Sequence, residues 1–185
     1  MGISTIERKA FFFDRDGVIN KAKLIQNKPH PPSSIEELEL TSGIERLINF
    51  LVLKNYLIIV ITNQPDIARG TKKKSEDKKI NDYLMSKLKI NKIYVCYHDN
   101  VDNCNCRKPK IGNIIAAKNF YNINMEKSFF IGDRRSDILA GNKSGCKSIF
   151  IDYNYDEEKP VNYFLHAMTI NDVHKKLLGV LDNEY

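Results

Sequence analysis

The sequence predicts an α/β fold in which helices cover both faces of a mostly parallel sheet. Three observations carry this expectation. Short apolar runs rich in β-branched and aromatic residues recur along the chain, segments with helical spacing separate them, and the two kinds of segment alternate. That alternation calls for βαβ units and a Rossmann-like layering. At 185 residues the chain can bury one full core but leaves no room for a second sizeable domain, so 1–185 reads as a single domain.

The elements follow in order. Residues 10–13 form the first run, and their unbroken apolarity suits a strand buried on both faces. Ile44, Leu47, Ile48 and Leu51 then recur at helical spacing, followed by a second strand over 57–61. Ile80, Leu84 and Leu88 mark a helix, with Ser75 before Glu76 as its start signal. A strand over 93–95 precedes the helical set Ile114, Ala117 and Tyr121. After a strand over 129–131, a helix beginning near Arg135 carries Ile138, Ala140 and Gly141 and stops at Gly145; the last strand covers 148–151. Beyond Asp152 only a helix near 171–178 is legible, and no internal repeat or low-complexity linker interrupts the chain.

A net charge of +6 and a pI near 9.0 suit nucleic acid, an anionic membrane or small phosphorylated ligands, and do not choose among them. The densest basic run, Lys72-Lys73-Lys74 with Lys78-Lys79, has no interleaved aromatics and reads as a solvated helix face. No apolar run approaches 18 residues, which argues against a membrane span. Met1 to Ala10 lacks the apolar stretch of a secretory signal, so a cytoplasmic protein is expected. Met1-Gly2 resembles a myristoylation start, but Ile6 stands where Ser or Thr is required.

In open α/β sheets ligands gather beyond the carboxyl ends of the strands. Asp14 follows the first strand, Thr62 the second and Gly132-Asp133 the fourth, while Lys108 precedes a helix after the third. Asp14 and Asp16 are two carboxylates at a strand end: one can attack phosphorus, the other can protonate a leaving oxygen and then activate water. Taken alone, such a pair also makes turns or holds structural ions. Thr62 and Asn63 add a hydroxyl and an amide for phosphate oxygens, Lys108 a compact cation, and Asp133 a hard oxygen ligand for Mg²⁺. Together they supply what phosphoryl transfer needs, positioning and charge neutralisation around in-line attack. Asp133 and Asp137 singly could be no more than acids favoured at a helix N-terminus.

A second constellation is Cys96, His98, Cys104 and Cys106, spaced C-x-H-x5-C-x-C. Three thiolates and an imidazole suit a closed, structural Zn²⁺ site; a reduced loop or a disulfide are the alternatives. Cys106 runs directly into Arg107-Lys108-Pro109, so a metal-fixed loop would fix the lysine. Cys146 reads as a small core residue, and His30, His166 and His174 have no partners visible in the sequence.

Asp-x-Asp-Gly, Thr-Asn, Arg-Lys-Pro and Gly-Asp-x-x-x-Asp, in that order from Phe11 to Gly145, resemble the haloacid dehalogenase superfamily of phosphatases. The resemblance implies Asp14 as nucleophile, Asp16 as general acid and then base, and Thr62 and Lys108 holding the phosphoryl group. It implies Mg²⁺ between the Asp14 carboxylate, the Asp16 backbone carbonyl and Asp133, with Asp137 in a supporting place behind them. The metal loop before Arg-Lys-Pro, with Thr-Asn-Gln at 62–64 and Ile-Ala-Arg-Gly at 67–70, is similar to the heptose 1,7-bisphosphate 7-phosphatases and next to the histidinol-phosphate phosphatases. That likeness implies a small phosphorylated sugar as substrate, with Asn63, Gln64, Arg107 and Arg134 touching it, in the supply of nucleotide-activated heptose for a surface glycan. Pro65-Asp66, Arg134 and Lys110 to Asn113 depart from the family pattern. The intervals between motifs leave no space for a separate cap domain. A monomer is expected, and a zinc module that binds nucleic acid is the reading from another class; the intact acidic set and lysine speak against it.

Overall fold

The computed structural model describes residues 6–182. The Met1-Gly2 motif therefore lies outside the described residues. In chain order the elements are β1 (Ala10–Phe13), β2 (Lys23–Ile25), β3 (Lys28–His30), α1 (Ile44–Leu53), β4 (Leu57–Asn63), α2 (Lys74–Lys87), β5 (Lys92–Cys96), α3 (Gly112–Tyr121), β6 (Phe129–Gly132), α4 (Arg135–Lys143), β7 (Lys147–Ile151), β8 (Leu165–Ala167) and α5 (Ile170–Leu181).

Six strands form one parallel sheet in the order β5-β4-β1-β6-β7-β8, as the alternation predicts. Strand β1 is central because it can be buried on both faces: Phe11 and Phe13 point into the layer under α1, α2 and α5, whereas Ala10 and Phe12 point into the layer under α3 and α4. Phe11 stacks on Phe129 of the neighbouring strand with ring centroids 4.6 Å apart. The chain leaves β1 toward β4 and β5, then returns to β6 on the other side. This reversal opens a crevice at the carboxyl end of β1, where Asp14 lies.

Four details differ from the expectation. Helix α2 begins one residue before Ser75, with Lys73 as an extended N-cap and no side-chain cap, so Ser75 is not the start signal. Lys72 is not on a solvated face: its side chain is 5% exposed, donates to the Pro32 carbonyl at 2.8 Å and lies 3.6 Å from Asp77. The β2–β3 hairpin was not legible, since its six residues are exposed or half-buried and show no apolar alternation. Past Asp152 the chain adds the edge strand β8, which was not expected, whereas the helix expected near 171–178 is α5, whose N-cap Thr169 accepts from the Asp172 N–H at 3.1 Å. No separate cap domain is present among the described residues, and no helix among them is long and apolar enough to cross a membrane.

Candidate active site

The strand ends bring the predicted residues together. Asp14 leaves β1 with its N–H bonded to the Ile131 carbonyl of β6 at 2.9 Å. Its Oδ1 accepts from Lys108 Nζ at 2.6 Å and from the Arg15 N–H at 2.7 Å; no hydrogen bond among the described residues falls on Oδ2. Lys108 Nζ also donates to Asp137 Oδ1 at 2.8 Å and to the Ile61 carbonyl at 2.7 Å. The lysine backbone is held separately: Asn63 Oδ1 accepts from its N–H at 3.1 Å, and Asn63 Nδ2 donates to its carbonyl at 3.2 Å.

Asp14, Asp133 and Asp137 each offer an oxygen within 4.8 Å of the others, all buried. One lysine cannot neutralise three carboxylates. Burial, with Asp137 and Asp16 nearby, accordingly raises the Asp14 pKa to about 7 despite Lys108, and burial with Asp14 and Asp137 raises Asp133 well above the carboxylate range. Asp133 Oδ2 accepts from the Tyr155 hydroxyl at 2.9 Å, whereas Oδ1 is buried with no hydrogen-bond partner. An orphaned carboxylate oxygen in a net-negative cluster of hard donors fits a hard divalent cation. Gly17, at φ 100°, permits this approach, since a Cβ there would stand 1.8 Å from Asp133 Oδ2.

Asp16 is engaged on both oxygens. Oδ1 accepts from Arg15 Nε at 3.2 Å and Asn20 Nδ2 at 3.0 Å, and Oδ2 from Arg15 at 3.1 Å and Gln64 Nε2 at 2.6 Å. Burial would raise its pKa, but Arg15, with the hydrogen bonds from Asn20 and Gln64, holds it below the ordinary value.

A cavity of about 470 Å³ opens above these groups, lined by Asp14, Asp16 and Lys108 at its floor and by Asn63, Arg107 and Arg134 on its walls. Gln64, expected at the substrate, is instead fully buried beneath it, its amide spent on Asp16 and on Thr62 Oγ1 at 2.9 Å. Thr62 is likewise buried. Arg134 is paired with Glu157, and Arg107 donates to Asn100 Oδ1 at 2.7 Å and to the His98 carbonyl at 3.4 Å. Sequence reading missed the hairpin residues Lys28 and His30 and, from the segment after β7, Glu157, all of which line the cavity, as well as Tyr155, which holds Asp133. Only their chemistry, a cation or hydroxyl in a loop of no pattern, was available as a signal.

Below this mouth Cys96, His98, Cys104 and Cys106 form a tight cluster. Cys96 Sγ lies 3.6 Å from both His98 Nδ1 and Cys104 Sγ, and Cys106 Sγ lies 3.3 Å from His98 Nδ1 and 3.5 Å from Cys104 Sγ. These separations exclude a disulfide, whose sulfurs sit about 2.05 Å apart. They are close to the roughly 3.8 Å between corners of a tetrahedron with 2.3 Å metal–sulfur bonds. The cluster could hold a soft-ligand metal. Cys146 is buried in the core, as expected.

Residues 9–164 match the family model described as polynucleotide kinase 3 phosphatase. The chain is 36% identical over 173 residues to D-glycero-alpha-D-manno-heptose-1,7-bisphosphate 7-phosphatase of Campylobacter jejuni, covering 91% of this chain and 95% of the relative. It is 35% identical over 146 residues to D-glycero-beta-D-manno-heptose-1,7-bisphosphate 7-phosphatase of Helicobacter pylori strain J99, covering 76% and 80%. Among solved structures, D,D-heptose 1,7-bisphosphate phosphatase from B. bronchiseptica complexed with magnesium and phosphate superposes with a TM-score of 0.75 at 22% identity, covering 93% of this chain and 99% of that one.

Proposed function

We propose a function on one premise: the chain belongs to the polynucleotide kinase 3 phosphatase family, with heptose-1,7-bisphosphate 7-phosphatases among its relatives. The proposed reaction is Mg²⁺-dependent hydrolysis of the 7-phosphate of D-glycero-D-manno-heptose 1,7-bisphosphate. The observation that carries it is the likeness to the Campylobacter enzyme over nearly all of both chains. The protein is proposed to be a cytoplasmic monomer formed by one domain over 1–185, serving nucleotide-activated heptose for a surface glycan.

In the proposed mechanism Asp14 Oδ2, which accepts no hydrogen bond from the described residues, attacks phosphorus while Lys108 neutralises its partner oxygen. The phosphorus–oxygen bond to the sugar breaks, and the departing alkoxide takes a proton from the minor, protonated form of Asp16, a carboxylate that its donors otherwise hold ionised. Water then attacks the phospho-aspartate, Asp16 takes the proton, and free Asp14 and inorganic phosphate result. Asp14, the Asp16 backbone carbonyl and Asp133 would hold Mg²⁺, which supplies charge neutralisation on the transferring group. Asn63, Arg107 and Arg134 are proposed to contact the substrate, with Thr62 and Gln64 supporting from below. Cys96, His98, Cys104 and Cys106 would hold Zn²⁺ in a structural role.

Purified protein with Mg²⁺ should release one equivalent of phosphate from the bisphosphate and leave the 1-phosphate. Comparing both anomers, histidinol phosphate and a 3′-phosphorylated oligonucleotide by kcat/KM tests the assignment. A preference for either of the last two would overturn it.

Two further outcomes follow. Tyr155→Phe removes the donor that fixes Asp133, and Mg²⁺ affinity should fall about 10-fold, measured by calorimetric titration without substrate. Lys28 has no side-chain hydrogen bond or ion pair among the described residues although it lines the cavity. It is thus free for a second phosphate, and Lys28→Ala should raise KM for the bisphosphate about 10-fold, leaving a 7-monophosphate little affected.

A further inference from the structure

Among the described residues Arg15 is the largest side chain with no exposure, and each of its guanidinium nitrogens is engaged. One edge grips both oxygens of Asp16 at 3.2 and 3.1 Å. Nη1 donates to Asp77 Oδ1 at 2.7 Å and to Asn81 Oδ1 at 2.8 Å, one turn apart on α2. Asp77, fully buried, accepts on its other oxygen from Asn81 Nδ2 at 3.0 Å and from the Tyr97 hydroxyl at 3.2 Å. Tyr97 sits between Cys96 and His98. A continuous run of hydrogen bonds therefore joins Tyr97, which the backbone ties to two members of the Cys/His cluster, through Asp77 and Arg15, 62 residues apart in sequence, to the carboxylate at the cavity floor.

A buried ion pair gains little stability over a well-packed apolar replacement of the same volume, so stability does not account for this arrangement. Its geometric effect is specific. The planar fork of Arg15 fixes the plane of the Asp16 carboxylate, and Asp77 and Asn81 fix the fork. We propose that Arg15, Asp77 and Tyr97 are positioning residues that aim Asp16 at the departing oxygen and tie that aim to the Cys/His loop. This rests on the acid–base role proposed for Asp16.

The test uses the dependence of kcat/KM on the leaving group, because kcat/KM covers only the steps through its departure. An alkyl sugar phosphate needs a proton delivered to its leaving oxygen; p-nitrophenyl phosphate does not. General-acid catalysis contributes about 10²–10⁴-fold, and misaiming the acid should forfeit part of it. Asp77→Asn should lower kcat/KM about 10-fold on the sugar phosphate and less than about 2-fold on p-nitrophenyl phosphate. Tyr97→Phe, which removes one hydroxyl and decides the matter alone if Asp77→Asn does not fold, should show the same pattern at about 3-fold.

Equal losses on both substrates, or none on either, would overturn the proposal. Asp16→Asn separates it from the reading beneath it. If Asp16→Asn spares p-nitrophenyl phosphate while the two relay variants show no selectivity, only the relay fails. If Asp16→Asn shows no leaving-group dependence, the acid–base role fails and the relay with it.

Discussion

Asp14→Asn is expected to lower phosphatase turnover by at least about 10⁴-fold while raising the melting temperature of the metal-free protein. The first effect follows from chemistry, because an amide oxygen is too weak a nucleophile to displace an alkoxide from phosphorus. The second follows from the cluster of Asp14, Asp133 and Asp137, which confronts a single lysine in a buried setting. Removing one charge relieves the repulsion, and Lys108 keeps Asp137 and the Ile61 carbonyl as partners.

The pH dependence has a definite sign. An aspartate with a pKa near 3.9 unfolded and about 7 folded binds more protons in the native state, so native stability declines as pH rises between those values. Metal-free wild type should therefore melt lower at pH 7.5 than at pH 5, and Mg²⁺ should raise its melting temperature more at pH 7.5. In Asp14→Asn the decline should be shallower, leaving the part due to Asp133. Calorimetry at the two pH values, with and without Mg²⁺, measures all of this. A variant that retains turnover would remove Asp14 as nucleophile; one that melts lower than metal-free wild type at pH 7.5 would remove the repulsion.

The sheet was legible because β1 is apolar at every position and β4 is apolar from Leu57 to Ile61, and because helical spacing survives in the stripes they face. The same logic explains what was hidden. Strands β2 and β3 pair only with each other in the open, and β8 borders the sheet with two half-buried positions in three, so neither writes an apolar pattern. At the site, motifs identified the groups whose chemistry is distinctive, Asp14, Asp16, Lys108 and Asp133. They could not show direction. Gln64 follows Thr62 and Asn63 in sequence, yet it turns inward to Asp16 because alternate residues leaving a strand point to opposite sides. Lys72 looked solvated within a lysine run, although it packs over a buried Asp77 that only the folded chain brings near.

The second large effect is expected on loss of the metal proposed for the Cys/His cluster. Chelation, or Cys104→Ser, should release about one Zn²⁺ per chain and lower the melting temperature by about 10 °C, a few kcal/mol at 2–4 °C per kcal/mol. The loop is built directly onto α3: the Gly112 N–H donates to the Asn105 carbonyl at 2.9 Å, and a Cβ at Gly112 would come within 2.6 Å of that oxygen. Loosening the loop therefore loosens the seat of a helix. At the site Lys108 should be the last group to move, because its backbone is held by Asn63 and its ammonium by three further acceptors. Arg107 is different, since both its hydrogen bonds go to Asn100 and His98 within the loop. Metal loss should thus raise KM for the bisphosphate more than for a monophosphate, and through Tyr97 it should reproduce the leaving-group dependence of Tyr97→Phe. Equal KM changes for the two substrates would instead place the loop's influence on Lys108, and an unchanged melting temperature would remove the structural metal altogether.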